Sequence, residues 1–309
     1  MNGADRSAWG DFWARESGRK QPGGCLPQGW DTIEQAQKKA WLDVVRACRK
    51  GGKVLDIATG DARVLRWLKA ARPDLKLFGV DAAPHLPAPP KGCKVCAGVV
   101  MERLPFPDAS FDLVTSQFGF EYGDTQQAAH EISRVLAFGG RVALMVHRGD
   151  GPILQHNLHR REAIRWALGN QKVVEVAINA LNLPGAALLV QARLAEIAAE
   201  GAKLFGRESP AWEIPEAVRQ SLVLGLQHNS RSIPATLRAL SERADNEVGR
   251  INSLQRACAT ADARPALLEV LTAAGLRMQA IVQVTEPHGA VFADLIVLTR
   301  QKPALFFIG

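Results

Sequence analysis

Residues 53–63 read KVLDIATGDAR, and no other stretch of the 309-residue chain limits its fold as tightly. Val54, Leu55 and Ile57 form a short apolar run that carries one acid, Asp56, into a turn of small residues, Ala58-Thr59-Gly60. A helical pattern follows at Val64-Leu65-Arg66-Trp67-Leu68. A buried strand feeding a small-residue turn and then a helix is the opening βα unit of a nucleotide-type parallel sheet. Small side chains let a ligand approach the backbone, and Gly60 reaches dihedrals closed to other residues. Turns of this composition also join strands to helices in proteins that bind nothing there, so the loop alone leaves both readings open.

The next segments extend the pattern. Leu75–Val80 reads as a second strand closed by Asp81, an acid about 20 residues past the glycine turn. A βαβ nucleotide fold places the carboxylate that accepts from both ribose hydroxyls there. The spacing serves a dinucleotide and any other adenosine ligand alike, and Asp81 also suits a turn before Ala82-Ala83-Pro84. MERLPFPDASFDLVTSQF (101–118) gives a proline-rich turn and a strand from Phe111 to Ser116. EISRVLAFGGRVALMVH (131–147) gives a helix, a stop at Gly139-Gly140 and a strand from Arg141 to Val146.

In their order, LDIATGDA, GVDA, LPFPDASFDLV and RVLAFGGRVAL resemble the class I S-adenosylmethionine-dependent methyltransferases, and most of all the group with ubiquinone- and small-molecule-type enzymes. TIEQAQKKAWLDVV (32–45) resembles the helix that often precedes the first strand there. The likeness covers about 30–147 strongly and the last forty or so residues weakly. It implies an α/β fold: a Rossmann-like, doubly wound, mostly parallel seven-stranded sheet. S-adenosyl-L-methionine is the implied cofactor, met by Ala58, Thr59 and Gly60 through the backbone and by Asp81 and Ala82 at the ribose. Asp56 would lie beneath the amino-acid portion, Ser116 and Gln117 beside the methionyl ammonium, and Met101 and Glu102 beside the adenine. Asp81→Ala is expected to weaken cofactor affinity and leave the fold largely intact.

The chain also departs from that pattern. Its three glycine positions read Ala58, Gly60 and Ala62, which suits alanine where its dihedrals stay ordinary. Val100 stands where an acid often precedes the LPF motif. The Asn/Asp-Pro-Pro-aromatic motif of many amine-directed enzymes is replaced by Ser116-Gln117-Phe118-Gly119, which points away from an exocyclic or amide nitrogen target. The implied chemistry is a single displacement at a sulfonium methyl, for which the protein aligns the partners and, where needed, removes a proton. Candidates for the proton are His147, at the end of the fifth strand, and Glu121 and Tyr122 after the fourth.

Composition sets bounds. The apolar content of 47% with 22% charged residues describes a globular chain, and no run approaches a membrane span. Five irregularly spaced cysteines and an N-terminal segment without an apolar core suggest a cytoplasmic protein with reduced thiols. Cys93-Lys-Val-Cys96 has no second pair, and His156 and His159 have no evident third ligand, so no metal is expected. The net charge of +7 is spread along the chain. Its densest group, Arg148, His156, His159, Arg160, Arg161 and Arg165, suits a solvated helix face, an acidic substrate or carrier, and least of all RNA.

Residues 1–29 hold Trp9, Phe12 and Trp13 and read as an aromatic arm. Residues 30–149 and 260–309 form the expected cofactor-binding core, and 150–259 a helical insertion that serves as a substrate lid. Leu237, Leu240, Ala244, Val248, Ile251, Leu254 and Cys258 mark one long helix whose apolar seam suits a neighbouring helix or a homodimer. The expected function is methyl transfer to oxygen or carbon of a small, quinone-like or specialised-metabolite acceptor. Two alternatives stand beside it: an RNA-modifying methyltransferase, and a cofactor-binding protein without methyl transfer.

Overall fold

The computed structural model describes residues 3–18, 29–183, 185–227 and 232–301. Helix α1 spans Gly3–Ser17 and α2 Asp31–Arg46. Strand β1 (Lys53–Ile57), α3 (Arg63–Ala71) and β2 (Lys76–Asp81) form the first βαβ unit, and β3 (Cys93–Ala97) follows. Next come β4 (Phe111–Gln117), a 3₁₀ turn at Phe120–Tyr122, α4 (Thr125–Val135) and β5 (Leu136–His147). Five helices follow: α5 (Pro152–Arg165), α6 (Val173–Ala180), α7 (Ala186–Phe205), α8 (Pro210–Gln227) and α9 (Ile233–Asp262). The chain returns through α10 (Arg264–Ala273) to β6 (Leu276–Thr285) and β7 (Val291–Arg300).

The seven strands lie in the order β3-β2-β1-β4-β5-β7-β6. All neighbours are parallel except β7, which runs antiparallel to β5 and β6. This is the doubly wound, mostly parallel sheet the resemblance implies. Its winding reverses between β1 and β4, and a crevice opens there beyond the strands' carboxyl ends. Val54, Leu55 and Ile57 are fully buried, as a strand covered on both faces requires. Truncating such a side chain to alanine costs about 2–5 kcal/mol.

The chain divides into two compact units, Met1–Leu154 with Ser253–Gly309, and Gln155–Asn252. The first holds the sheet. The second has its own core, with Ile164, Val173, Leu194, Ile197, Val218, Leu222 and Leu237 at its centre. The α9 seam is spent inside the chain: Leu237, Ala244, Ile251, Leu254 and Cys258 are all buried by its own neighbours. Arg160 donates to Glu247 at 2.7 Å and Arg161 to Asn252 at 2.9 Å, both part-buried, whereas His159 and Arg165 of the same basic group are exposed.

Three local differences from the sequence reading stand out. Residues 3–17 of the expected arm are the helix α1, and residues 19–28 lie outside the described residues. The stop expected at Gly139-Gly140 falls within β5. That strand begins at Leu136 opposite Phe111, and its ladder shifts register before Leu113, with Gly139 at a φ of 78° taking up the irregularity. Ala58 and Ala62 do not keep ordinary dihedrals: their φ values are 53° and 56°. Each holds a left-handed conformation that costs a Cβ-bearing residue about 1–2 kcal/mol.

Candidate functional site

A cavity of about 540 Å³ opens at the switch point, within the sheet-bearing unit. Of the cofactor-binding candidates, Asp56, Ala58, Thr59, Gly60, Asp81, Ala82, Met101, Glu102 and Gln117 line it, as do Tyr122 and His147. Ser116 and Glu121 do not. Ser116 is fully buried, and its Oγ accepts from the Phe120 N–H at 3.1 Å, which shapes the loop after β4. Glu121 lies behind His147 rather than in the wall.

Asp81 ends β2 and turns back across the β1 turn. Its carboxylate accepts from the Gly60 N–H and the Ala83 N–H, each at 2.9 Å. Burial raises its pKa, and those two N–H groups pull it partly back. A carboxylate has about four acceptor positions, so two remain for ligand hydroxyls. The same geometry corrects one expectation: Asp81→Ala would orphan two buried N–H groups, so it disturbs the turn as well as any ligand.

Asp56 lies deeper. Thr59 donates to one of its oxygens at 2.6 Å and Thr115 to the other at 2.7 Å. Burial raises its pKa to about 7; the two hydroxyls oppose this, and Asp81 and Asp61 add to it. At neutral pH this acid is poised to lose its proton when a cation enters the cavity.

The turn between them fits only glycine at its centre. Gly60 has a φ of +52°, and a Cβ there would meet Trp13 Cζ2 at 2.5 Å. Trp13, on α1, therefore lies against the turn, while Trp9 meets Tyr122 edge-on at 5.8 Å. At Gly119 an added Cβ would collide with the Ala58 Cβ, so the alanine at 58 ties position 119 to glycine.

The opposite wall is built around His147. Its Nδ1 lies 2.8 Å from Glu121 Oε1, and its backbone N–H donates to the same oxygen at 3.0 Å. Nδ1 therefore carries a proton, and in the neutral ring Nε2 is the acceptor. Phe118 stacks on the ring at 4.1 Å and Tyr122 meets it edge-on at 5.8 Å. Both His147 and Glu121 are buried.

Sequence reasoning missed Trp9, Trp13, Gln37 and Phe118, all of which line the cavity. The first two had a signal in the aromatic density of the N-terminal segment. Gln37 had one too: it occupies the inward face of α2 with Ile33, Trp41 and Val44, an amide where the helical period calls for an apolar residue. Among the described residues no cluster of His, Cys, Asp or Glu is arranged to hold a metal ion. None of the described helices is long and apolar enough to cross a membrane.

Residues 55–144 match the methyltransferase domain family. Over 101 residues the chain is 36% identical to demethylmenaquinone methyltransferase of Thermus thermophilus, a match that spans 30% of this chain and 46% of that one. Over 107 residues it is 35% identical to the ubiquinone/menaquinone biosynthesis C-methyltransferase UbiE of Geobacter sulfurreducens, spanning 31% and 42%. The chain thus matches less than half the length of each of these relatives. The solved 1,6-didemethyltoxoflavin-N1-methyltransferase of Burkholderia thailandensis aligns over 97% of this chain and 88% of that one. Its 11% identity and TM-score of 0.46 are too slight a likeness to argue from.

Proposed function

We propose, from the premise that residues 55–144 form a class I S-adenosylmethionine-dependent methyltransferase domain, that this chain transfers a methyl group to oxygen or carbon of a small-molecule acceptor. The carrying observation is the cavity itself. One wall presents a carboxylate beside a left-handed glycine turn, and the other presents a histidine with a free acceptor nitrogen. When bound, S-adenosyl-L-methionine supplies a methyl group activated on a sulfonium. The donor set suits it. Asp81 would accept from the ribose hydroxyls with Ala82 beside it, the backbone at Ala58, Thr59 and Gly60 would admit the methionyl chain, and Met101 and Glu102 would flank the adenine. Asp56, buried and acidic, would answer the cationic end.

His147 would take the acceptor's proton at Nε2, with Glu121 holding the ring's tautomer and stabilising its charged form. Phe118 and Tyr122 fix the ring in place, and Trp9 and Trp13 give the cavity an aromatic wall suited to a flat, apolar acceptor. The named relatives act in quinone biosynthesis, which supports a quinone-like acceptor.

The test is transfer of label from methyl-tritiated S-adenosylmethionine to a panel of reduced naphthoquinones and phenols. Label is expected in the organic extract with the wild type, and a fall of about 100-fold or more in His147→Ala. Tight cofactor binding with no label leaving it for any acceptor would favour a cofactor-binding protein without transfer.

A further inference from the structure

Gln37 is fully buried and lines the cavity. Its orientation is set by a chain of hydrogen bonds that allows one polarity. The Trp41 indole N–H can only donate, and it meets Gln117 Oε1 at 2.6 Å. Gln117 must therefore turn its Nε2 the other way, where it donates to Gln37 Oε1 at 3.1 Å. That leaves Gln37 Nε2 as the last donor in the chain. It is buried and has no hydrogen-bond partner among the described residues. Leaving such a donor unpaired is costly, and in a group that lines a cavity it calls for a partner the protein itself does not supply.

The wall around it narrows the choice of ligand group. Asp56, Asp61, Asp81, Glu102 and Asp124 line the cavity, whereas its one arginine, Arg63, is paired with Asp61 at 2.9 Å. A negatively charged oxygen entering here finds the one lining arginine already paired and takes its hydrogen bonds from amides, which Gln37 Nε2 can supply. Gln117 ends β4, the neighbour of β1, so the Gln37 amide stands by the crevice where the Ala58-Thr59-Gly60 turn begins, across from the Asp81 carboxylate. We infer that Gln37, oriented by Trp41 and Gln117, donates a hydrogen bond to the carboxylate at the amino-acid end of the cofactor. This rests on the cofactor reading above.

Calorimetric titration of the full chain with S-adenosylhomocysteine and with 5′-methylthioadenosine tests it, because the second ligand keeps the adenosine and lacks the carboxylate. Gln37→Met, close in shape, should weaken S-adenosylhomocysteine by about tenfold or more and change methylthioadenosine less than twofold. Gln37→Glu keeps an acceptor for Gln117 but sets an acid against the ligand's own, so it should show a larger loss with the same selectivity. Unchanged S-adenosylhomocysteine affinity in both variants, or equal losses for both ligands, would overturn the assignment. A folded wild type that binds neither ligand would overturn the cofactor reading itself.

Discussion

Asp56→Asn should make the protein more stable at neutral and alkaline pH. The carboxyl is wholly buried, and its pKa is raised to about 7 from an ordinary 3.8, chiefly by that burial. At about 1.4 kcal/mol per pH unit the gap is worth roughly 4 kcal/mol. The folded protein holds this proton more tightly than the unfolded chain does. Asp56 therefore contributes its full stability below about pH 4, loses it as pH rises, and has none left once pH passes about 7. Asparagine does not titrate. It keeps one acceptor for Thr59, and Thr115 can turn its hydroxyl toward the Leu55 carbonyl, 3.5 Å away, while accepting from the new amide. Removing the charge also relieves Asp81, which faces the same crevice. Thermal unfolding followed by circular dichroism from pH 4 to 8 reads the difference. For a domain of this size 1 kcal/mol moves the midpoint by about 2–4 °C, so the variant should lead by several degrees at pH 8 and lose that lead by pH 4. Parallel curves for the two proteins, or a wild type that stays ahead at pH 8, would refute the reasoning.

Further outcomes follow from the same site. Gly60→Ala should destabilise the fold by about 1–3 kcal/mol, since it adds a Cβ 2.5 Å from Trp13 at a left-handed position, and Trp13→Ala in the same chain should recover part of that loss in urea unfolding. Ala62→Gly, at a φ of 56°, should gain up to about 1 kcal/mol by removing left-handed strain ahead of α3. Glu121→Gln keeps an acceptor oxygen for His147 Nδ1–H but removes the negative charge that stabilises the ring's protonated form, so kcat should fall at least tenfold while S-adenosylhomocysteine affinity in calorimetry stays at the wild-type value.

Much of the sheet was legible because its strands are short, apolar and bounded by turn residues. β1, β2 and β4 begin and end within a residue or so of the pattern, and the helix marked by Leu237 to Cys258 grew only into the slightly longer α9. The glycine turn and Asp81 were legible for the same reason, since their positions follow from local sequence and the βαβ topology. What escaped depends on contacts distant in sequence. Nothing near Ala58 and Ala62 signals a positive φ; the turn imposes it. Nothing near Glu121 shows that its carboxylate is committed to His147, 26 residues on. The bracing of two backbone N–H groups by Asp81 appears only once β1 and β2 are paired.

Hydrogen exchange of the full chain with and without S-adenosylhomocysteine most directly tests whether the switch-point cavity is a cofactor site. The backbone amides at 57–62, 81–83, 99–102 and 117–119 should slow on adding the ligand, with the Gly60 and Ala83 amides among them. Exchange that stays unchanged there, or slows only in residues 155–252, would contradict it.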